Sequence, residues 1–94
     1  MSQYITFLSD YGLTDEFVGV CHGVMLKLAP HATIIDVTHG IKPQSVREGA
    51  MVLAHAVAYM PVGSIHLAIV DPGVGTTSPA MIVTTADGSV LVGP

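Results

Sequence analysis

The chain has 94 residues, half of them hydrophobic and only 11% charged, with a formal net charge of −4. It is too apolar for a disordered chain and suits one small domain at most. Its three basic residues, Lys27, Lys42 and Arg47, form no cluster, which argues against a nucleic-acid partner, and the single Cys21 leaves no disulfide framework and no Cys-based zinc site.

In chain order, the N-terminal "MSQYITF" lacks the basic start and long apolar run of a signal peptide. No later stretch reaches the roughly 18 apolar residues of a membrane span. The expected location is therefore the cytoplasm, with no membrane partner. "YITFLS" (4–9) reads as a buried strand and "DYGLTD" (10–15) as a loop. Phe17, Cys21, Val24, Met25 and Leu28 recur at helical spacing, which predicts an amphipathic helix over 15–29, stopped by Pro30. Cys21 falls on its apolar face, as a buried structural thiol.

"ATIIDV" (32–37) reads as a second buried strand, followed by the loop "THGIKP". Asp36, inside that strand, reads as a structural hydrogen-bonding residue. Ser45 to Glu48, "SVRE", has the form of a capping box, with Glu48 reaching back to Ser45. Val46, Ala50, Leu53, Ala54 and Val57 then form the apolar stripe of a second helix. "SIHLAIV" (64–70) is a third strand. "AMIVTTADGSVLV" reads as two strands joined at an Asp87–Gly88 turn.

The expected fold is α/β: a parallel β-α-β-α-β unit followed by a β-hairpin, with right-handed crossovers. The final "GSVLVGP" reads as a strand entering a turn, and a chain this short buries a modest part of its surface. We therefore expect a truncated piece of a larger two-domain fold, or an oligomer. In parallel sheets ligands bind beyond the carboxyl ends of the strands, where strand order reverses. If the first and third strands are neighbours, Asp10, Asp15 and Asp71 converge there.

"GVGTTS" (73–78) nearly matches a dinucleotide fingerprint. A strand rather than a helix follows it, though, with Pro79 between, and a serine replaces the third glycine. Asp71 would also set a negative charge beside a phosphate. No Gly-Lys-Ser/Thr of a P-loop is present. Three Asp oxygens could suit Mg²⁺, but the five histidines (22, 31, 39, 55, 66) lack ligand spacing and read as hydrogen-bonded or solvent-facing. Ser9 lies at a strand end without the G-x-S-x-G of a nucleophile elbow. The carboxylates remain, since such groups can hold a ribose diol or orient a water. Asp15 stands at the helix start, where it serves equally well as a cap; for Asp10 and Asp71 a functional role is the better reading.

The stretches "FLSDYGLTDEFVGVCHGVM", "ATIIDVTHGI", "EGAMVLAHAVAYMPVGSIHLAIVDPGVGT" and "LVGP" follow in order over nearly the whole chain. Together they resemble the N-terminal domain of the S-adenosyl-L-methionine (SAM) hydroxide adenosyltransferases, relatives of fluorinase and chlorinase. The resemblance implies an α/β domain paired with a C-terminal β domain absent from residues 1–94, a homotrimer with sites between subunits, SAM as substrate, and no metal or other cofactor. Asp10 then matches the residue gripping the ribose hydroxyls, and Asp71 the one holding the attacking water. Halogenating relatives lack an Asp there, and a carboxylate repels halide. Gly73 and Gly75 would allow close backbone approach, with Thr76, Thr77 and Ser78 beside them. Ser78, seven residues after Asp71, stands where the hydrolytic relatives carry an Arg, and serine supplies no such cation. A SAM hydrolase giving adenosine and methionine is the leading expectation, with the 94 residues alone inactive. A non-catalytic SAM- or adenosine-binding module and an apolar interaction fragment remain the alternatives.

Overall fold

β1 (Gln3–Ser9) is central because its sequence is apolar or β-branched on both faces, and Thr6, Phe7, Leu8 and Ser9 are all buried. The computed structural model describes residues 3–71, 81–84 and 90–93. Around β1 stand α1 (Phe17–Leu28), β2 (Ala32–Thr38), α2 (Val46–Val57), β3 (Ile65–Ile69), β4 (Met81–Thr84) and β5 (Val90–Gly93). The sheet order is β2-β1-β3-β5-β4. β1 is parallel to β2 and β3, β5 is parallel to β3, and β4 is antiparallel to β5. The α/β reading and the neighbouring first and third strands are as expected. The Asp87–Gly88 turn and Pro79 lie outside the described residues.

Phe7 and Leu8 point to opposite faces, as successive strand residues must. α1 lies on the Phe7 face, where the Phe7 ring stands 6.1 Å from that of His22. α2 lies on the Leu8 face, over a core of Leu8, Ile41 and Val70 flanked by Val37, Val52, Leu53 and Ala68. Burying each large side chain of that core contributes about 1.5–3 kcal/mol.

Three local expectations change. The second strand is not buried: β2 is the edge of the sheet, and all its residues are half-buried or exposed. The stripe expected on α1 is rotated. Val18 is buried and Cys21, His22 and Met25 are half-buried, while Phe17, Val24 and Leu28 face outward. Cys21 is accordingly half-buried rather than sealed. This helix is apolar nearly all round, so spacing alone could not select its inner face; in the structure Val18 is its buried residue and His22 bonds Asp36.

α2 is rotated for a different reason. Gly49 is its buried contact point, with Val52, Leu53, Ala56 and Val57 turned inward and Val46, Ala50 and Ala54 outward. A Cβ at position 49 would stand 2.9 Å from Val70 Cγ2 and 3.7 Å from Leu8 Cδ2. The missing side chain is what lets helix and sheet approach. Half of the expected capping box forms: the Glu48 N–H donates to Ser45 Oγ at 3.3 Å. The Ser45 N–H donates to the Lys42 carbonyl at 3.0 Å instead of to Glu48.

Candidate functional site

The sheet order reverses between β1 and β3, so a crevice opens beyond their carboxyl ends. Asp10 directly follows β1, and its N–H extends the ladder to the Ile69 carbonyl at 3.3 Å. Asp71 follows β3 after Val70. The two meet there: Asp10 Oδ2 accepts from the backbone N–H of Asp71 and from that of Gln44, both at 3.3 Å. Oδ2 is thus anchored, and Oδ1 of Asp10 makes no hydrogen bond among the described residues. Gln44 reaches this contact with φ +66°, the left-handed region that costs a non-glycine residue about 1–2 kcal/mol.

Asp15 plays a local part. Its Oδ1 accepts from the Phe17 N–H at 3.0 Å at the start of α1, while Glu16, at the N-cap position, makes no side-chain cap bond. Gly73, Gly75, Thr76, Thr77 and Ser78 lie outside the described residues. Among the described residues no group of three or more His, Cys, Asp or Glu is arranged to hold a metal ion.

Sequence reasoning missed a second feature beside Asp10. His39 Nδ1 lies 2.6 Å from Ser9 Oγ, and His39 Nε2 lies 2.7 Å from Asp36 Oδ1. His22 Nε2, from α1, approaches the same Asp36 oxygen at 2.9 Å. Partial burial of Asp36 opposes its ionisation, but hydrogen bonds and charge from His39 and His22 outweigh that, leaving its carboxyl below the ordinary value. Asp36 thus has the hydrogen-bonding role expected of it, with more partners than a strand position suggests. The only sequence signal was the Asp-x-x-His spacing of 36–39. An open hollow of about 460 Å³ lies against this cluster, lined by Gly12, Leu13, Asp36, Val37, Thr38, His39 and Gly40.

Tyr11, also missed, packs edge-on against Phe17 with ring centroids 4.7 Å apart. Burial pushes its phenol up, and negative charge on Cys21, Asp10 and Asp71 pushes it further, so it stays a neutral hydroxyl.

A doubly wound α/β domain with Asp10 and Asp71 at its switch point defines a class of small-ligand sites rather than one activity. Residues 5–94 match the SAM hydroxide adenosyltransferase N-terminal domain family, and the chain belongs to it. A (R)-S-adenosyl-L-methionine hydrolase from Salinispora arenicola is 54% identical over 93 residues, covering 99% of this chain and 35% of the relative. A fluorinase from Nocardia brasiliensis is 35% identical over 85 residues, covering 90% of this chain and 28% of the relative. The crystal structure of an uncharacterized conserved protein from Thermotoga maritima superposes with a TM-score of 0.88 at 39% identity, over 96% of this chain and 35% of that one. The chain therefore spans about a third of the length of the relatives it matches.

Proposed function

We propose that the full-length protein hydrolyses SAM to adenosine and L-methionine. Water attacks the ribose C5′, the C5′–S bond breaks, and its electron pair returns to sulfur, releasing neutral methionine thioether. The water's proton passes to Asp71 and then to solvent. Asp10, with Oδ2 held by two backbone N–H groups, holds the ribose diol. Gly73 and Gly75 allow close approach of the nucleoside, with Thr76, Thr77 and Ser78 around it. The observation that carries this reading is the meeting of Asp10 and Asp71 at the switch point. An Asp beside the water position favours hydrolysis over halogenation, because a carboxylate repels halide and accepts a hydrogen bond from water. The hydrolase name of the 54%-identical relative supports the same choice.

The leaving group is neutral, so in-line positioning supplies much of the rate, and the proposed reaction uses no metal or other cofactor. The rest of the protein, a C-terminal β domain, and a trimer of subunits complete the site. Residues 1–94 alone are expected to be inactive, since part of a site does not preorganise a transition state. The proposed setting is cytoplasmic; among the described residues no helix is long and apolar enough to cross a membrane. The test is product analysis of the full-length protein with SAM. Adenosine and methionine in equal amounts, with no halogenated nucleoside in the presence of halide, support the reading. SAM consumed to neither product overturns it.

A binding module without turnover is the second reading, favoured by Ser78 standing where a cation would stabilise hydroxide. Calorimetry separates the two: adenosine and SAM bound without product mark the module.

A further inference from the structure

We propose that His39 is a positioning residue for the Asp10 carboxylate, and through it sets how tightly a ribose diol is held; this deepens the SAM reading above and rests on it. Asp10 is flanked in the chain by Ser9 and Tyr11, and His39 grips the segment on both sides of it. On one side Ser9 Oγ meets His39 Nδ1 at 2.6 Å and also accepts from the Tyr11 N–H at 3.2 Å. On the other side the Gly12 N–H donates to the His39 carbonyl at 2.8 Å. Three residues around Asp10, Ser9, Tyr11 and Gly12, are thus referred to one imidazole and its backbone.

The partners fix the imidazole's own state. Asp36 is held ionised and can only accept, so His39 Nε2 carries the proton and donates at 2.7 Å. In the neutral ring Nδ1 is then a lone pair, and the Ser9 hydroxyl donates to it. The ring is further set by the Phe7 ring, edge-on at 4.6 Å. His22 Nε2, 2.9 Å from the same Asp36 oxygen, ties the far end of the chain to α1.

The arrangement repeats the residue types of a nucleophilic triad but cannot act as one. Ser9 is 0% exposed and His39 4% exposed, so no substrate carbon reaches the hydroxyl. Serine also sits on Nδ1 and the carboxylate on Nε2, the reverse of the hydrolase triad. What remains is orientation. A displacement of about 1 Å at a reacting group can cost roughly a hundredfold in rate, and Asp10 hangs from the segment this ring holds.

The test uses the full-length protein and calorimetry with adenosine and 2′,3′-dideoxyadenosine, which lacks the diol. His39→Leu is expected to weaken adenosine binding by about tenfold or more, the scale of a hydrogen bond to a charged group, and to leave the dideoxy compound unchanged. His39→Asn, whose amide oxygen occupies the place of Nδ1 and accepts from Ser9, is expected to restore most of the loss. Nitrogen-15 spectra of the wild type are expected to show His39 as the Nε2–H tautomer.

A folded His39→Leu protein with wild-type adenosine affinity, equal weakening for both nucleosides, or an Nδ1–H tautomer overturns the positioning role while leaving the SAM reading intact. If His39→Leu does not fold, His39→Asn and the tautomer decide. A wild type that binds neither adenosine nor SAM overturns the SAM reading itself, and the positioning role with it.

Discussion

β1 carries two hydroxyl–imidazole pairs of nearly the same geometry. Thr6 Oγ1 lies 2.7 Å from His66 Nδ1, and Ser9 Oγ lies 2.6 Å from His39 Nδ1. Both pairs are buried. The first sits inside the sheet, with Thr6 and His66 in register across β1 and β3. The second sits at the carboxyl end, against the residue that precedes Asp10. The two contacts are chemically alike, but they lie on opposite faces of β1, and only the second stands beside Asp10 and is tied on to Asp36.

Five substitutions would break or sharpen that contrast. The largest effect is expected from Asp71→Ala in the full-length protein, at the end of the sheet. Loss of the group that orients and deprotonates water should lower kcat for SAM hydrolysis by about 10²–10⁴-fold with little change in KM. Steady-state kinetics check this, and an unchanged kcat would remove Asp71 from the chemistry.

Gly49→Ala probes the core on the α2 side, the face of the sheet opposite Phe7 and His39. Its new methyl meets Val70 Cγ2 at 2.9 Å, so overpacking should cost about 1–3 kcal/mol in denaturant unfolding. The nucleoside affinity of the folded protein should stay as in the wild type.

Thr6→Val tests the inner pair directly. Removing the hydroxyl takes away the partner of His66 Nδ1 in a buried setting and should cost about 1–2 kcal/mol of stability. Adenosine affinity should not move. Ser9→Ala should cost a similar amount and weaken adenosine binding as well. If both variants or neither weaken it, the contrast between the pairs fails.

The smallest effect concerns acid. Burial raises the Asp36 carboxyl, but the hydrogen bonds and charges of His39 and His22 together outweigh it and hold the carboxyl below the ordinary 3.8. A depressed carboxyl contributes stability that is fully present above the unfolded value and is lost as pH falls through the folded one. Melting temperatures of the wild type should therefore drop more steeply on the acid side than those of Asp36→Asn. The increment is small, because the Asp36 side chain is 42% exposed.

Much of the scaffold was legible in the sequence, and the reasons are local. Continuous apolar, β-branched runs marked the strands, and Pro30 and Ser45 marked a helix end and a helix start. The faces of the helices were not legible. In α1 almost every residue is apolar, so spacing gives the stripe no phase. In α2 the inward position is Gly49, which carries no hydrophobic signal because its function is to have no side chain. The edge position of β2 was hidden as well, since "ATIIDV" is as apolar as a central strand and only sheet order exposes one side of it.

The candidate site divides in the same way. Asp10 and Asp71 could be singled out because each follows an apolar strand, and parallel sheets present such positions to ligands. The cluster around His39 could not, because Ser9, His22, Asp36 and His39 come from β1, α1, β2 and the loop after it, at separations set by no spacing rule.

By itself the sequence determined the alternation of strands and helices, the α/β class, and the two carboxylates at the strand ends, because periodicity and strand-end position are properties of neighbours in the chain. Only the tertiary structure decided which strand is central, which helix faces turn inward, and that one imidazole holds the segment around Asp10. Those outcomes depend on hydrogen bonds and close contacts between residues far apart in the chain, whose energies exist only after the sheet has brought the partners together.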